Sequence, residues 1–458
     1  MSAQPRRTAL TALTLDRFRL FERLAPVTFH QEMTVFTAPN GSGKSALLDA
    51  IAVALRYFVD KMQDLPASHG FDKSDVRLVR SQGGGMVAAT PTLLTAVALF
   101  DGEHEVWHRQ LGSVDGKTTY KGAEGLAKRA AALRAQLRKS ARPGSAPAEL
   151  PVIAYYGTGR LWREGRLSRH KKVTAARLDM NTSGYVDALN PASSFSHFVL
   201  WFQAVVLEAT KEVQSGVAHA MRPTQLLEAV RRATDLVLAP SGWSRLDWDF
   251  LGEEVVAQHE VHGRLPVSLL SDGVRNMIGM VADLAHRVVR LNPHHGANAP
   301  SQTSGIVLID EVDMHLHPSW QQEVLISLRE AFPLVQFVVT THSPQVLSTI
   351  PRECIRVLRG ADGMYEAVQP PLQTQGVPSG DVMNSVMQVA PTPDVPIRRE
   401  LERYQALIQD GQHTSDDGVA LRARLDEHFG RQHPEVLDLD RVIRFRAALS
   451  RRSDKGTA

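Results

Sequence analysis

At 458 residues the chain is long enough for two or three domains, or for one large domain carrying insertions, and 43% apolar against 22% charged residues exclude a disordered chain. The formal charge is only +3, so a nucleic-acid surface can come only from a local patch. Cys354 is the single cysteine, which excludes a disulfide framework and a cysteine-built zinc site and fits a reducing cytoplasm; no run approaches the roughly 18 uncharged apolar residues that span a bilayer, and no apolar core of a signal peptide follows the first residues.

In chain order, Ala9 to Phe21 alternates apolar and polar residues and predicts an edge or near-edge strand, with Phe18 in the core rather than Phe18 or Arg19 against a nucleotide base. Next comes an apolar run, Met33 to Phe36, then Ala38 to Ser45 (APNGSGKS), then a helix-prone stretch from Ala46 to Leu55. Strand, glycine-rich turn and helix form the context of a phosphate loop. The backbone of Asn40, Gly41, Ser42 and Gly43 can wrap an anion at a helix N-terminus. Lys44 would reach the β- and γ-phosphates of ATP, and Ser45 would ligate Mg²⁺. Ala38 stands where the usual pattern has its first glycine.

Residues 68–85 loosen, with Gln82 before three glycines; Thr92 to Phe100 and Glu105 to Gln110 read as strands, Thr119 to Ser140 as a helix and 141–150 as a loop. Between Lys121 and Met180 there are 14 Lys or Arg against Glu124, Glu149, Glu164 and Asp179, which is either a solvated face or a surface for phosphate backbones. Pro151 to Ala154 is a short buried strand ending in Tyr155-Tyr156-Gly157-Thr158-Gly159-Arg160. Helical periodicity over Ser194 to Val213 gathers Phe195, Phe198, Trp201 and Phe202 as core, and returns over Thr224 to Leu238. Trp243 to Phe250 and Glu254 to Val261 read as paired strands, followed by Leu265 to Leu269.

Ser271-Asp272-Gly273 opens the helical stretch Val274 to Val288, and a Ser-X-Gly turn there offers a hydroxyl, free N–H groups and a helix dipole to an oxyanion. The phosphate loop's own helix already serves its nucleotide, so a second anion site is better explained by a neighbour's nucleotide, which implies a dimer with two sandwiched ATP molecules. Asn292 to Ser304 reads as a loop, in which His294 and His295 lack a third metal ligand. Gly305 to Glu311 (GIVLIDE) is a continuous apolar strand ending in two carboxylates, with Asp310 placed to hold Mg²⁺ and Glu311 to act as general base. Phe337 to Thr341 is a second buried strand, and His342 at its end can hydrogen-bond the γ-phosphate. From Asp381 onward the pattern is helical, with segments at Ile397 to Ile408, Asp416 to Phe429 and Asp440 to Arg451.

APNGSGKS, LSDG, VLIDE and TTHSP, in that order, resemble the Walker A, signature, Walker B and switch-histidine motifs of ABC-type ATPases, in the branch that includes SMC, RecF and OLD proteins. Pro151 to Trp162 (PVIAYYGTGRLW), Gly184 to Phe195 (GYVDALNPASSF) and the C-terminal helical region resemble the group containing the PtuA ATPase of Septu anti-phage systems and the ATPases found with retrons. The resemblance implies an α/β fold: an ABC-type P-loop NTPase head with a mixed sheet (1–100 and 265–370), an inserted helical and basic segment (101–264) and a C-terminal helical region (371–458) for partner docking. It implies a cytoplasmic ATPase with ATP and Mg²⁺, self-association, and an HNH-type nuclease partner like PtuB. Neither an HNH motif nor a run of acidic strands follows His342, so no nuclease site of its own is expected. The competing expectation is a RecF- or SMC-like clamp gripping DNA, or retron-type RNA and DNA, through the basic insert. A transporter ATPase would need a membrane partner for its coupling surface, and the large insert and C-terminal helices resemble the other branch. Two departures stand out. Asp272 replaces a glycine of the transporter signature. Gln82 is a poor Q-loop, which leaves Arg160 to sense phosphate or interface, or to form a salt bridge. His315 and His317, after the Walker B strand, are expected at a subunit contact rather than on a metal.

Overall fold

The strands that read as unbroken apolar runs lie side by side at one end of a large sheet. The computed structural model describes residues 8–65, 70–140, 142, 144–160, 181–191, 195–215 and 222–455. The chain divides into two compact units, 1–388 and 389–458. In the first, β1 (Thr8–Phe18), β2 (Phe21–Thr28) and β3 (Met33–Thr37) lead into α1 (Lys44–Met62). A hairpin of β4 (Arg77–Arg80) and β5 (Met86–Ala89) precedes β6 (Thr92–Phe100), β7 (Glu103–Leu111), β8 (Thr118–Thr119), α2 (Glu124–Ser140) and β9 (Val152–Tyr156). Helices α3 (Ser196–Ser215) and α4 (Pro223–Leu238) come next, then a three-stranded sheet of β10 (Trp243–Asp249), β11 (Glu254–His259) and β12 (Gly263–Pro266), and then α5 (Asp272–Leu291). β13 (Gly305–Ile309), α6 (Val324–Ala331), β14 (Val335–Thr340), β15 (Ile355–Ala361) and β16 (Met364–Val368) complete the large sheet.

That sheet has eleven strands in the order β8-β7-β6-β1-β2-β16-β15-β3-β14-β13-β9. β15, β3, β14, β13 and β9 are mutually parallel, and β7, β6, β1 and β2 form an antiparallel arm. Every residue of β3, β9, β13 and β14 is buried, as expected of parallel strands covered on both faces. β1 is not the edge or near-edge strand that its alternation predicts. It lies inside the sheet between β6 and β2, and two register shifts, at Leu10/Ala12 and Leu13/Leu15, interrupt its pairing. Phe18 is fully buried, in line with the core reading. Arg19 is held by Asp49 of α1 and Asp75, so it is occupied within the fold. Phe195, Phe198, Trp201 and Phe202 are core residues, as expected.

The 101–264 stretch contributes β7, β8 and β9 to the main sheet. In its basic part, α2 buries Leu126, Ala130 and Leu133, and two of its cations are engaged, Arg129 with Glu103 and Arg134 with Asp64. The remainder of that basic stretch at 161–180, including the Leu161-Trp162 end of one family-like motif, lies outside the described residues. Residues 292–304 are not a loop. They form a short 3₁₀ segment (Pro293–Asn298) and a helical turn (Ala299–Gln302), each with a proline in its first turn, where the missing N–H costs nothing. Asn292, Ala299 and Thr303 are fully buried. Composition hid this order, because the same prolines that mark loops also start helices.

The second unit holds α7 (Pro396–Gln409), α8 (Asp416–Phe429) and α9 (Pro434–Lys455) around Leu401, Tyr404, Ile408, Leu421, Leu425 and Leu439. Ser415 caps α8 by accepting from the Gly418 N–H at 3.2 Å, and Arg422 joins Asp426 to Asp440. Among the described residues no helix is long and apolar enough to cross a membrane.

Candidate nucleotide site

Register aligns the ends of four parallel strands. Ile309 of β13 pairs with Tyr156 of β9 and Val339 of β14, and Val339 pairs with Val35 of β3. The segments that leave these carboxyl ends therefore share one rim of the sheet, where α/β folds place ligands. They are 38–45, 157–160, 310–311 and 341–343, so the sheet brings together Asn40 to Ser45, Asp310, Glu311 and His342.

At the loop between β3 and α1, Gly41 and Gly43 adopt φ of +77° and +89°. A Cβ on Gly43 would lie 2.5 Å from Leu20 Cδ2 and 2.8 Å from Phe21 Cζ, so only glycine fits against the β1–β2 turn. Around Gly41 the Cβ direction is open, with no atom within 4 Å. Ala38 is buried and tolerates its Cβ. Lys44 Nζ donates to the carbonyls of Ala38 at 2.9 Å and Pro39 at 3.1 Å. Burial holds the Lys44 ammonium below its usual pKa against the pull of Asp310, Glu311 and Asp313. Ser45 is exposed at the start of α1, where first-turn N–H groups lack helical acceptors.

Asp310 is 3% exposed, and its Oδ1 accepts from Thr340 Oγ1 at 2.5 Å. The Glu311 N–H donates to the same hydroxyl at 2.8 Å, while Thr341 Oγ1 donates to Asp313 Oδ1 at 2.6 Å. Glu311 sits at φ +48°, a costly backbone for a residue with a Cβ. It is held from the other side by Arg160, whose Nη2 donates to the Glu311 carbonyl at 2.7 Å and whose Nη1 donates to the carbonyls of Asp310 and, at 3.0 Å, Gly157. Burial pushes Arg160 down to about 10, still charged at neutral pH. So Arg160 forms no salt bridge among the described residues. It fixes the backbone beneath the two carboxylates, a role that no local sequence signal announces. Burial, and then Lys44, push the His342 imidazole below its usual pKa, which leaves it uncharged at neutral pH.

Behind this rim, Tyr155 donates to Asp49 at 2.9 Å, and Asp49 also takes Arg19, tying β9 to α1. Tyr156 donates to the buried Asp283 of α5 at 2.8 Å, and Arg287 Nε reaches the same oxygen at 2.6 Å. α5 is thereby anchored to the strand beside Walker B. At its other end Ser271 and Asp272 are exposed, and Gly273 packs so closely that a Cβ would stand 2.3 Å from the His315 carbonyl oxygen. None of Ser271, Asp272 or Gly273 figures among the charges and hydrogen bonds around Lys44, Asp310 and His342. Asp272 is ion-paired with Arg275, which offsets the carboxylate that departs from the transporter pattern. Gln82 lies exposed in the turn between β4 and β5. His315 and His317 are exposed, and His317 Nδ1 caps the following helical turn with Ser319.

The residues fit a nucleotide and a hard divalent cation: an open glycine-rich turn, a buried ammonium, an exposed hydroxyl and a buried carboxylate with one oxygen left for a ligand. Two family models cover the chain in succession. One, "AAA domain", matches 12–198, and the other, "AAA domain, putative AbiEii toxin, Type IV TA system", matches 187–348. Retron Vc95 probable ATPase of Vibrio cholerae is 23% identical over 88% of this chain and 84% of its own length. Retron Ec83 probable ATPase of Escherichia coli is 36% identical, over 38% of this chain and 31% of that protein. Septu protein PtuA of Bacillus mycoides is 30% identical, over 42% of this chain and 22% of that protein. The motif-bearing rim and these matches agree in marking an AAA-type ATPase, similar to the retron and Septu ATPases.

Proposed function

We propose that the chain hydrolyses ATP as a dimer closed around two nucleotides, and that this cycle controls a separate effector nuclease in bacterial anti-phage defence, in the cytoplasm. The observation that carries the reading is the division of the motifs. Walker A, Walker B and His342 converge on one rim, while Ser271 and Asp272 are exposed at the N-terminal end of α5, with Gly273 packed beside them. A second copy supplies the missing face. Its Ser271 hydroxyl and Gly273 N–H would meet the γ-phosphate held by the first copy's loop.

In this reading Asn40 to Ser45 hold the phosphates, Lys44 leaves the Ala38 and Pro39 carbonyls for the β- and γ-phosphates, and Ser45 and Asp310 hold Mg²⁺, which supplies charge neutralisation. Glu311 takes the proton of the attacking water, and the uncharged His342 donates to the γ-phosphate. Arg160 is a positioning residue. Arg160→Ala is expected to lower kcat about tenfold or more with the ATP dissociation constant little changed, because the carbonyls of Gly157, Asp310 and Glu311 lose their donor and Glu311 loses one of its two backbone restraints. A parallel loss of ATP affinity, measured by calorimetry, would assign Arg160 to phosphate binding instead.

The nuclease reading draws on the retron and Septu relatives. The rival DNA clamp draws on 121–180, where α2 spends Arg129 and Arg134 on internal ion pairs. Ser271→Arg tests the dimer: ATP binding should survive while ATP-dependent dimerisation, read by light scattering, disappears and turnover falls. Retained dimerisation would remove the sandwich. A pull-down with Glu311→Gln, ATP and Mg²⁺ tests the effector. A stoichiometric nuclease supports it, and bound DNA without a protein partner favours the clamp.

A further inference from the structure

Away from the nucleotide rim, Glu149 meets the two histidines that the sequence left without a third partner. Glu149 precedes β9, and His294 and His295 follow the C-terminus of α5. His294 Nε2 lies 2.8 Å from one Glu149 oxygen and His295 Nε2 3.0 Å from the other, with the imidazole centroids 4.1 Å apart. One ligand atom from each residue falls within 4.8 Å of the others. Neighbouring residues of a helical turn ordinarily point apart. Here both imidazoles converge on one carboxylate, although one would suffice for an ion pair.

The backbone that carries them is fixed. The fully buried Asn292 accepts from the Leu150 N–H at 2.9 Å, donates to the Leu150 carbonyl at 2.9 Å and donates to Thr303 at 3.1 Å. Residues 149 and 294 therefore each stand within two positions of a buried clamp.

We propose that Glu149, His294 and His295 bind one zinc-class divalent transition-metal ion, with the fourth coordination position facing solvent. A tetrahedral ion with bonds of about 2.0–2.2 Å sets its donors about 3.3 Å apart, so the edge from one histidine to its own Glu149 oxygen, at 2.8 or 3.0 Å, needs to open by only about 0.5 Å or less, and the remaining edges lie within 4.8 Å. Two imidazole nitrogens and a carboxylate favour zinc, nickel or copper over magnesium or calcium. The ion would clamp the approach to β9 onto the C-terminal end of α5. Together with the Tyr156–Asp283 bond it gives the signature helix a second fixed point on the sheet.

The full chain, stripped of metal and free of nucleotide, is titrated with Zn²⁺ by calorimetry and with Co²⁺ by visible absorption. One equivalent of Zn²⁺ should bind, Co²⁺ should develop the intense bands of a four-coordinate site, and Zn²⁺ should raise the unfolding temperature. Glu149→Gln should weaken binding at least about tenfold, and His294→Ala/His295→Ala should abolish it. His259→Ala/His262→Ala, at another close histidine pair, should leave it intact. Circular dichroism checks that the variants fold, and the near-isosteric Glu149→Gln serves if the double variant does not. The proposal is overturned if the wild-type chain shows no saturable one-to-one Zn²⁺ binding, or if Glu149→Gln and the folded double variant bind as the wild type does.

Discussion

Glu311→Gln is expected to lower steady-state ATP turnover about 10²-fold or more while ATP binding survives, and to accumulate the ATP-bound dimer. The substitution keeps shape and hydrogen-bonding reach but removes the group that accepts a proton from water. Its effect should be confined to chemistry because the position is set by backbone. The Glu311 N–H is held by Thr340 and its carbonyl by Arg160, and neither contact involves the carboxylate. The left-handed φ of +48° is therefore maintained in the variant. Phosphate release and light scattering with ATP are the measurements. Turnover at the wild-type rate would dismiss Glu311 as the base. Loss of turnover without dimer accumulation would separate the base from the sandwich.

The nucleotide rim was legible because its parts are local. An apolar run followed by a glycine-rich turn, or by Asp-Glu, carries both the strand and the group at its end, and parallel pairing then aligns those ends. What escaped depends on distant partners. Nothing near Arg160 says that its guanidinium will hold the carbonyls of Asp310 and Glu311, and nothing near Glu149 announces His294 and His295. Asp313, which accepts from Thr341, is one of three carboxylates acting on Lys44, and no local signal in the sequence sets it apart. The place of β1 in the sheet escaped for another reason. Alternation reports which face of a strand is covered and is silent about whether its edges are paired. The 292–304 segment was misread because proline and glycine mark turns and helix starts alike.

Lys44→Met should lower ATP affinity by about 10²-fold or more, since a buried, charge-assisted contact to the phosphates is worth roughly 2–4 kcal/mol and each 1.4 kcal/mol is tenfold. The nucleotide-free variant, by contrast, should be at least as stable as the wild type at pH 7. Burial holds the Lys44 pKa below its unfolded value of 10.5, so the folded state binds fewer protons than the unfolded state between those two values. The charged lysine therefore costs stability at all pH values below its folded pKa. That cost fades as pH rises through the folded pKa toward 10.5 and is absent above it. Methionine keeps the apolar stem without the charge, so its advantage in unfolding temperature should be present at pH 7 and shrink in alkaline solution. A binding site that weakens the resting fold in this way is stabilised by its ligand, and ATP with Mg²⁺ should raise the unfolding temperature of the wild type but not of Lys44→Met. If the variant instead unfolds well below the wild type at pH 7, the bonds from Lys44 to Ala38 and Pro39 dominate, and its loss of ATP binding reports a collapsed loop rather than a missing charge.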